Sequence, residues 1–413
     1  MTGNHPRFAF LIVGIALAAC GGGDGDTPVD PATAVSKVTI NASRNSLAVG
    51  TTVQLTADAA NAAGTILVGK TINWVSSRPD VATITSLGLV SGVATGTTTI
   101  TATCEGRSAS VLLTVQASNK IVLTSDAGDY IGLGGTYTYT RANAVISLSA
   151  NATSIQLVVS GDQDWHANFQ VPSGVQLAGG SYANATRWPF QGSGAGLDWS
   201  GEGRGCNMLT GFFVIDSLRW DTGNSLSLLG LDMRFEQHCE GAVPALRGTI
   251  HWRADDPTAP LGPVTPIPST LWRPPTGATP PSGDFVYLQS EQGDYIGQGA
   301  TNLYQTGIVG GGTGAHALIS AGGYRGDFQG MNSLSALTVG YYPNLQRYPF
   351  NNPALGGLDW SGNGRGCNTL TGWFAIDRVS YVSGSIAGIE LRFEQHCEGM
   401  SPALHGAVRW GQF

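Results

Sequence analysis

Charge is scarce in this 413-residue sequence, in which only 12% of side chains are ionic. Lysine and arginine total 21 against 28 aspartates and glutamates, a formal net charge of −7, and no basic run occurs. A nucleic-acid partner is therefore not expected. No segment shows a convincing helical period, which argues against a bundle or coiled coil. The apolar run from Phe8 to Ala19 is too short to span a bilayer, which takes about 20 residues. Neither a nucleophile elbow nor a zincin signature occurs, so familiar hydrolase chemistry has no sequence anchor.

Glycine, by contrast, is abundant (59 residues), and threonine, serine and valine recur. That composition suits turn-rich β domains, and the length suggests two to four of them. Six cysteines make disulfides plausible if the chain is exported.

The N-terminus points to export. A short, weakly basic stretch, Met1 to Arg7, precedes the apolar run, as in a secretory signal. Leu17-Ala18-Ala19-Cys20 resembles the lipobox of bacterial lipoproteins. The resemblance implies removal of residues 1–19 and acylation of Cys20, which anchors the chain to a membrane. Gly21 rather than Asp follows the cysteine, which by analogy with enteric bacteria favours the outer membrane or cell surface. Residues 20–35 offer almost nothing apolar to bury and read as a flexible tether.

Residues 36–117 contain short alternating strands at sandwich spacing. Leu47 to Leu55, Ile72 to Ser77, Val81 to Ile84, Gly88 to Gly96 and Thr99 to Ala102 together resemble a bacterial Ig-like domain of group 2. That resemblance implies a two-sheet sandwich with Trp74 as a core aromatic. Cys104 shares the alternation of Ile100 and Ala102 and reads as a buried free thiol.

The remainder is a duplication. Residues 119–255 and 284–413 are two copies of one unit, joined by a proline-dense linker over 256–283 that reads as a semi-rigid extended spacer. Gly128 to Gly134 returns as Gly293 to Gly299. Gly196 to Asp216 returns as Gly357 to Asp377, and Arg234 to Gly241 as Arg392 to Gly399. The repeated motifs resemble an uncharacterised module of bacterial exported proteins, which implies no activity. Strands dominate each copy, so the fold class expected is all-β: an Ig-like sandwich followed by two β-sandwich or jelly-roll domains.

Each copy carries two cysteines, and intradomain disulfides Cys206–Cys239 and Cys367–Cys397 are the simplest account. Metal ligation through a cysteine and the adjacent His238 or His396 falls short of a four-ligand zinc site. Strand alternation would place Glu236, His238 and Glu240 on one face and Gln237 and Cys239 on the other. A histidine between carboxylates could serve acid–base or metal chemistry, as could its twins Glu394, His396 and Glu398. The plainer account is a solvated polar face. Asp198, Ser200 and Glu202, with Asp359, Ser361 and Asn363, place oxygens at alternate positions before a glycine, as calcium loops do. Leu209 and Leu370 stand where the bidentate glutamate of an EF-hand would be, so a structural turn competes with a calcium site. No other cofactor is expected.

Trp199 and Trp360 lie in the same glycine-rich stretch beside Arg204 and Arg365, and flat aromatics next to polar groups are what a sugar-binding surface uses; the plainer account is that they cap the sandwich cores. Arg187 and Arg347 precede an aromatic-Pro-Phe run in each copy and could stack on it. The expectation is a non-enzymatic, membrane-anchored binding or adhesion-type lipoprotein, its twin modules engaging a carbohydrate or an envelope protein. The alternatives are a glycan-processing enzyme and a structural envelope component.

Overall fold

The computed structural model describes residues 32–221, 223 and 227–413; Cys20 and the expected signal segment lie outside them. Among the described residues there is no helix, and the chain is all-β. None of its elements is a helix long and apolar enough to cross a membrane.

The first domain comprises β1 (Lys37–Ala42), β2 (Ser46–Ala48), β3 (Thr52–Ala60), β4 (Asn73–Ser76), β5 (Ala82–Ile84), β6 (Leu89–Gly92), β7 (Gly96–Cys104) and β8 (Arg107–Gln116). They form two four-stranded sheets, β1-β3-β6-β5 and β2-β8-β7-β4. Along β7 every second side chain points inward: Thr98, Ile100, Ala102 and Cys104 are buried. Cys104 is a free thiol in that row, as its alternation predicts. Trp74 is half-buried and packs against both parts of the core.

The first copy of the repeated unit runs through β9 (Lys120–Ser125), β10 (Thr136–Tyr139), β11 (Val145–Ala150), β12 (Ser154–Ser160) and β13 (Asp164–Gln170). It continues with β14 (Gly180–Arg187), β15 (Gly196–Gly201), β16 (Leu209–Trp220), β17 (Leu228–Cys239) and β18 (Leu246–Arg253). The second copy is built from β19 (Phe285–Ser290), β20 (Thr301–Tyr304), β21 (Val309–Thr313), β22 (His316–Ala321) and β23 (Tyr324–Gln329). Its later strands are β24 (Gly340–Arg347), β25 (Gly357–Gly362), β26 (Leu370–Val382), β27 (Ser385–Cys397) and β28 (Leu404–Gly411).

Each copy is one continuous ten-stranded sheet. In the first, the order is β10-β9-β18-β17-β16-β14-β15-β13-β12-β11, antiparallel except for β14 beside β15. Ile121 and Leu123 near one edge share a core with Ile155, Leu157 and Val159 near the other. The sheet therefore curls until its halves face each other, as the layers of a sandwich do. In the second copy a bridge from Thr313 to Ser385 joins β21 to β27 and draws the curl closed.

The linker is not a free spacer. Val264 and Tyr341 exchange backbone hydrogen bonds of 2.8 and 3.0 Å, and Ser333 Oγ donates to the Leu261 carbonyl at 2.6 Å. Further on, Arg392 and Arg409 donate to the carbonyls of Trp272 (2.7 Å) and Pro281 (3.1 Å). Proline lacks an N–H but keeps its carbonyl and an apolar ring, so a proline-rich strap can be held by donors on the surface it crosses. The copies also touch: Asn352, 1% exposed, donates to the Asn143 carbonyl (2.8 Å) and to Asp162 (3.0 Å) of the first copy.

Candidate functional site

The three repeated motifs meet at one end of each copy, where they hold one another. Arg204 Nε donates to the Ile131 carbonyl and Arg365 Nε to that of Ile296, each at 2.8 Å. Asp129 and Asp294 each accept from a glycine amide three residues on (2.7 Å) and from a serine hydroxyl (2.8 Å). Glu240 and Glu398, both with positive φ, accept the amides of Asn207 and Asn368 at 2.5 Å. The disulfides Cys206–Cys239 and Cys367–Cys397 tie the second motif to the third, each across a Cα separation of 5.1 Å. Beside each, a fully buried glutamine spans the two layers: Gln237 accepts from the Trp199 amide (2.9 Å) and donates to its carbonyl (2.8 Å), and Gln395 does the same with Trp360.

These positions correct several expectations. Trp199 and Trp360 are 0% exposed and stack on Phe235 and Phe393 at 4.9 and 5.0 Å, so neither offers a face to a sugar. The glycine-rich stretch begins as a strand, and alternation turns Trp199 inward with Leu197. Arg204 and Arg365 pin a turn instead of reaching for a ligand. Asp198 accepts a hydrogen bond from Ser200 (3.0 Å), Asp359 from Ser361 (2.8 Å), while Glu202 turns aside to the Asp164 amide (2.8 Å). Asn363 donates its amide to the Gly323 carbonyl at 3.2 Å. Along a strand such oxygens form a row, whereas calcium needs them wrapped around a point. Burial raises the pKa of both Asp198 and Asp359. Among the described residues, no group of three or more His, Cys, Asp or Glu could hold a metal ion. Arg187 and Arg347 do stack, on Phe190 and Phe350, with 5.2 Å to each ring centre.

Glu236 and His238 share the outer face of β17, as alternation predicts, 3.1 Å apart. Glu240 does not join them, because the strand ends at Cys239 and the chain reverses. Arg247 on β18 completes the cluster, donating to Glu236 (2.6 Å) and to Asp126 (2.8 Å). Burial works against the Glu236 carboxylate, yet His238 and Arg247 outweigh it and hold its pKa below the usual value.

In the second copy His405 replaces Arg247. It lies 3.1 Å from Glu394 and 3.5 Å from Glu291, and Glu394 is 3.3 Å from His396. Burial disfavours the His405 cation, but Glu394 and Glu291 more than compensate, and its pKa rises above 6.5. The hydrogen bond to His405 leads the causes that lower the Glu394 pKa. A raised histidine pKa contributes stability that is fully present below 6.5 and is lost as pH climbs through the raised value. The depressed Glu394 contributes on the acid side, its share being lost as pH falls through its lowered pKa. The second copy should therefore show a thermal midpoint that falls as pH rises above 6.5. His405→Asn, which cannot titrate there, should lack that slope in calorimetry across the same range.

Beside the first copy's cluster the outer face is open. A cavity of about 320 Å³ is lined by Val122, Phe212, Arg234, Glu236, Arg247 and Thr249 among others. A second, about 340 Å³, shares Val122, Arg234 and Thr249 and extends to Asp216, Asp232 and His251. The two make a groove with an apolar floor and charged walls across β9, β18 and β17. Sequence reasoning missed it because it concentrated on residues that repeat, and Val122, Arg247 and Thr249 differ between copies. The strap had one legible signal: a single tryptophan, Trp272, among the prolines of the linker.

Among known proteins, the bacterial Ig-like domain (group 2) matches residues 34–126, a span that reaches the end of β9. The N-terminal unit is Ig-like. No curated protein matches the chain. Among solved structures, domains 5–6 of the S-layer protein SbsC match with 13% identity and a TM-score of 0.19, covering 53% of this chain and 97% of that one. Domains 4 and 5 of the same protein match with 11% identity and a TM-score of 0.21, covering 53% and 98%.

Proposed function

We propose that this chain is an exported, lipid-anchored binding protein of the bacterial envelope, and that its first repeated unit presents the binding face. The observation that carries the reading is an asymmetry. One groove recurs on both copies, covered by the chain's own linker in the second and open in the first. Two disulfides fit an oxidising compartment outside the cytoplasm. The Ig-like domain lifts the pair from the membrane end, where Cys20 carries the lipid. Because the linker is strapped down and the copies touch, the pair presents one open face, not two independent heads. Binding is favoured over catalysis because the Glu240 carboxylate, the third member of the acid–base reading, is spent on the Asn207 amide.

Two substitutions test the reading. Cys20→Ser should abolish palmitate labelling and release the chain from the membrane fraction; persistent labelling would refute the anchor. Thr249 is exposed in the groove, so Thr249→Trp should fold normally and fill it. Saturable binding of the soluble mature chain on glycan and peptide arrays should then vanish. Failure of the unaltered chain to bind any member of either array counts against a binding role.

A further inference from the structure

The second copy shows what the groove accepts. There the linker lays Trp272 over the face made by Tyr287, Arg392, His405 and Ala407, its ring 4.9 Å from His405 and nearly parallel to it (13°). Tyr287 lies under the same indole at 6.3 Å and 11°. Arg392 is held by Asp377 (2.7 Å) and donates to the Trp272 carbonyl (2.7 Å), while Arg273 reaches to within 4.0 Å of Asp377. The occupant is thus a proline-flanked segment between two turns, Leu271-Trp272-Arg273-Pro274-Pro275, held by ring stacking, a carbonyl acceptor and an opposite charge.

The first copy repeats the receptor without the occupant. Val122, Arg234, Arg247 and Thr249 stand at the strand positions of Tyr287, Arg392, His405 and Ala407. Arg234 keeps its pair with Asp216. Its side chain is 53% exposed, where Arg392 under the linker is 4% exposed. The differences leave the groove receptive to an indole. Val122 is smaller than Tyr287 and deepens the floor, and the Arg247 guanidinium can stack on an aromatic face as His405 does. Nor can the stretch before the first copy fill its groove as the linker fills the other. Only residues 117–119 separate β8 from β9, whereas residues 256–283 precede the second copy.

Resting on the binding role above, we propose that the groove of the first copy docks a proline-flanked tryptophan segment of a partner protein, in the manner of the Trp272 strap. Prolines suit such a ligand because they fix its backbone beforehand and reduce the ordering cost. The partner's carbonyl takes the free donors of Arg234, and a basic residue after its tryptophan meets Asp216.

The probe is a fluorescein-labelled peptide with the sequence of residues 266–282, titrated into the soluble mature chain and followed by anisotropy and calorimetry. One saturable site is expected. Arg234→Ala in the protein, or alanine for the tryptophan in the peptide, should weaken binding about tenfold or more, and Thr249→Trp should abolish it. Trp272→Ala in the protein uncovers the twin groove and should raise the stoichiometry from one to two. Binding that survives Thr249→Trp overturns the assignment, because the peptide is then exchanging with the linker on the second copy. A dimer in sedimentation that Trp272→Ala dissolves also overturns it, by giving the groove to a second copy of this chain. Absence of peptide binding, alongside array binding that Thr249→Trp removes, rejects the peptide chemistry and leaves the binding role standing. Absence of both rejects both.

Discussion

Trp360→Ala should destabilise the second repeated unit by about 3–5 kcal/mol, the range for removing a large aromatic from a closed core. The indole is fully buried, lies 5.0 Å from the Phe393 ring and 6.2 Å from Phe328, and shares its strand face with Leu358. Its backbone, gripped on both polar atoms by Gln395, cannot sag to fill the cavity. Tight anchoring of this kind places the cost towards the upper end of the range. Trp360→Phe should cost much less. The indole N–H meets no protein acceptor, so the smaller ring removes an unpaired donor, worth about 1–3 kcal/mol, while opening a smaller void. Calorimetry of the second unit's transition measures both. A ligand platform predicts the reverse: an alanine variant as stable as the unaltered chain, with binding lost.

The burial of Trp199 and Trp360, which removes them from any sugar-binding surface, shows how far this sequence is legible. Glycine density suggested a loop, yet Leu197, Asp198, Trp199 and Ser200 alternate apolar and polar as a half-buried strand does. The same alternation governs Glu236-Gln237-His238-Cys239 and Cys104, where no glycine distracts. Duplication was legible because identity over long motifs needs no structural inference, and the cysteine pairing followed from it. The linker was not legible: proline content reports stiffness, and nothing in composition says that stiffness lies against a surface.

Much of the identity between the copies marks what both need to fold. Arg204, Asp129, Gln237, Glu240 and the cysteines all have twins, and all are spent on backbone groups or on each other. Within the groove the copies differ on the outer face of β9 and β18, at Val122, Arg247 and Thr249. A binding face is built from positions that folding does not already claim, and after a duplication one copy is free to keep such a face covered while the other leaves it open.

Removing either disulfide should cost its unit about 3–4 kcal/mol, from the chain entropy that a loop of this size returns to the unfolded state. The bridged cysteines are 33 and 30 residues apart, so the two losses should be nearly equal. Each bond joins the segment leading into β16 or β26 to the end of β17 or β27, at the end where the three motifs meet. The reduced state also leaves Gln237 or Gln395 flanked by thiols, 4.0 Å from Cys206 Sγ and 3.9 Å from Cys367 Sγ. That glutamine keeps its two backbone partners, so the inter-layer clamp survives and the loss is confined to the cross-link. Cys206→Ala with Cys239→Ala should therefore lower only the first unit's midpoint in calorimetry, and Cys367→Ala with Cys397→Ala only the second's. A reductant added to the unaltered chain should lower both and leave the Ig-like domain, whose single thiol is unpaired, where it was. If the paired variants melt with unchanged midpoints, the cross-links add nothing to the stability of the units they close.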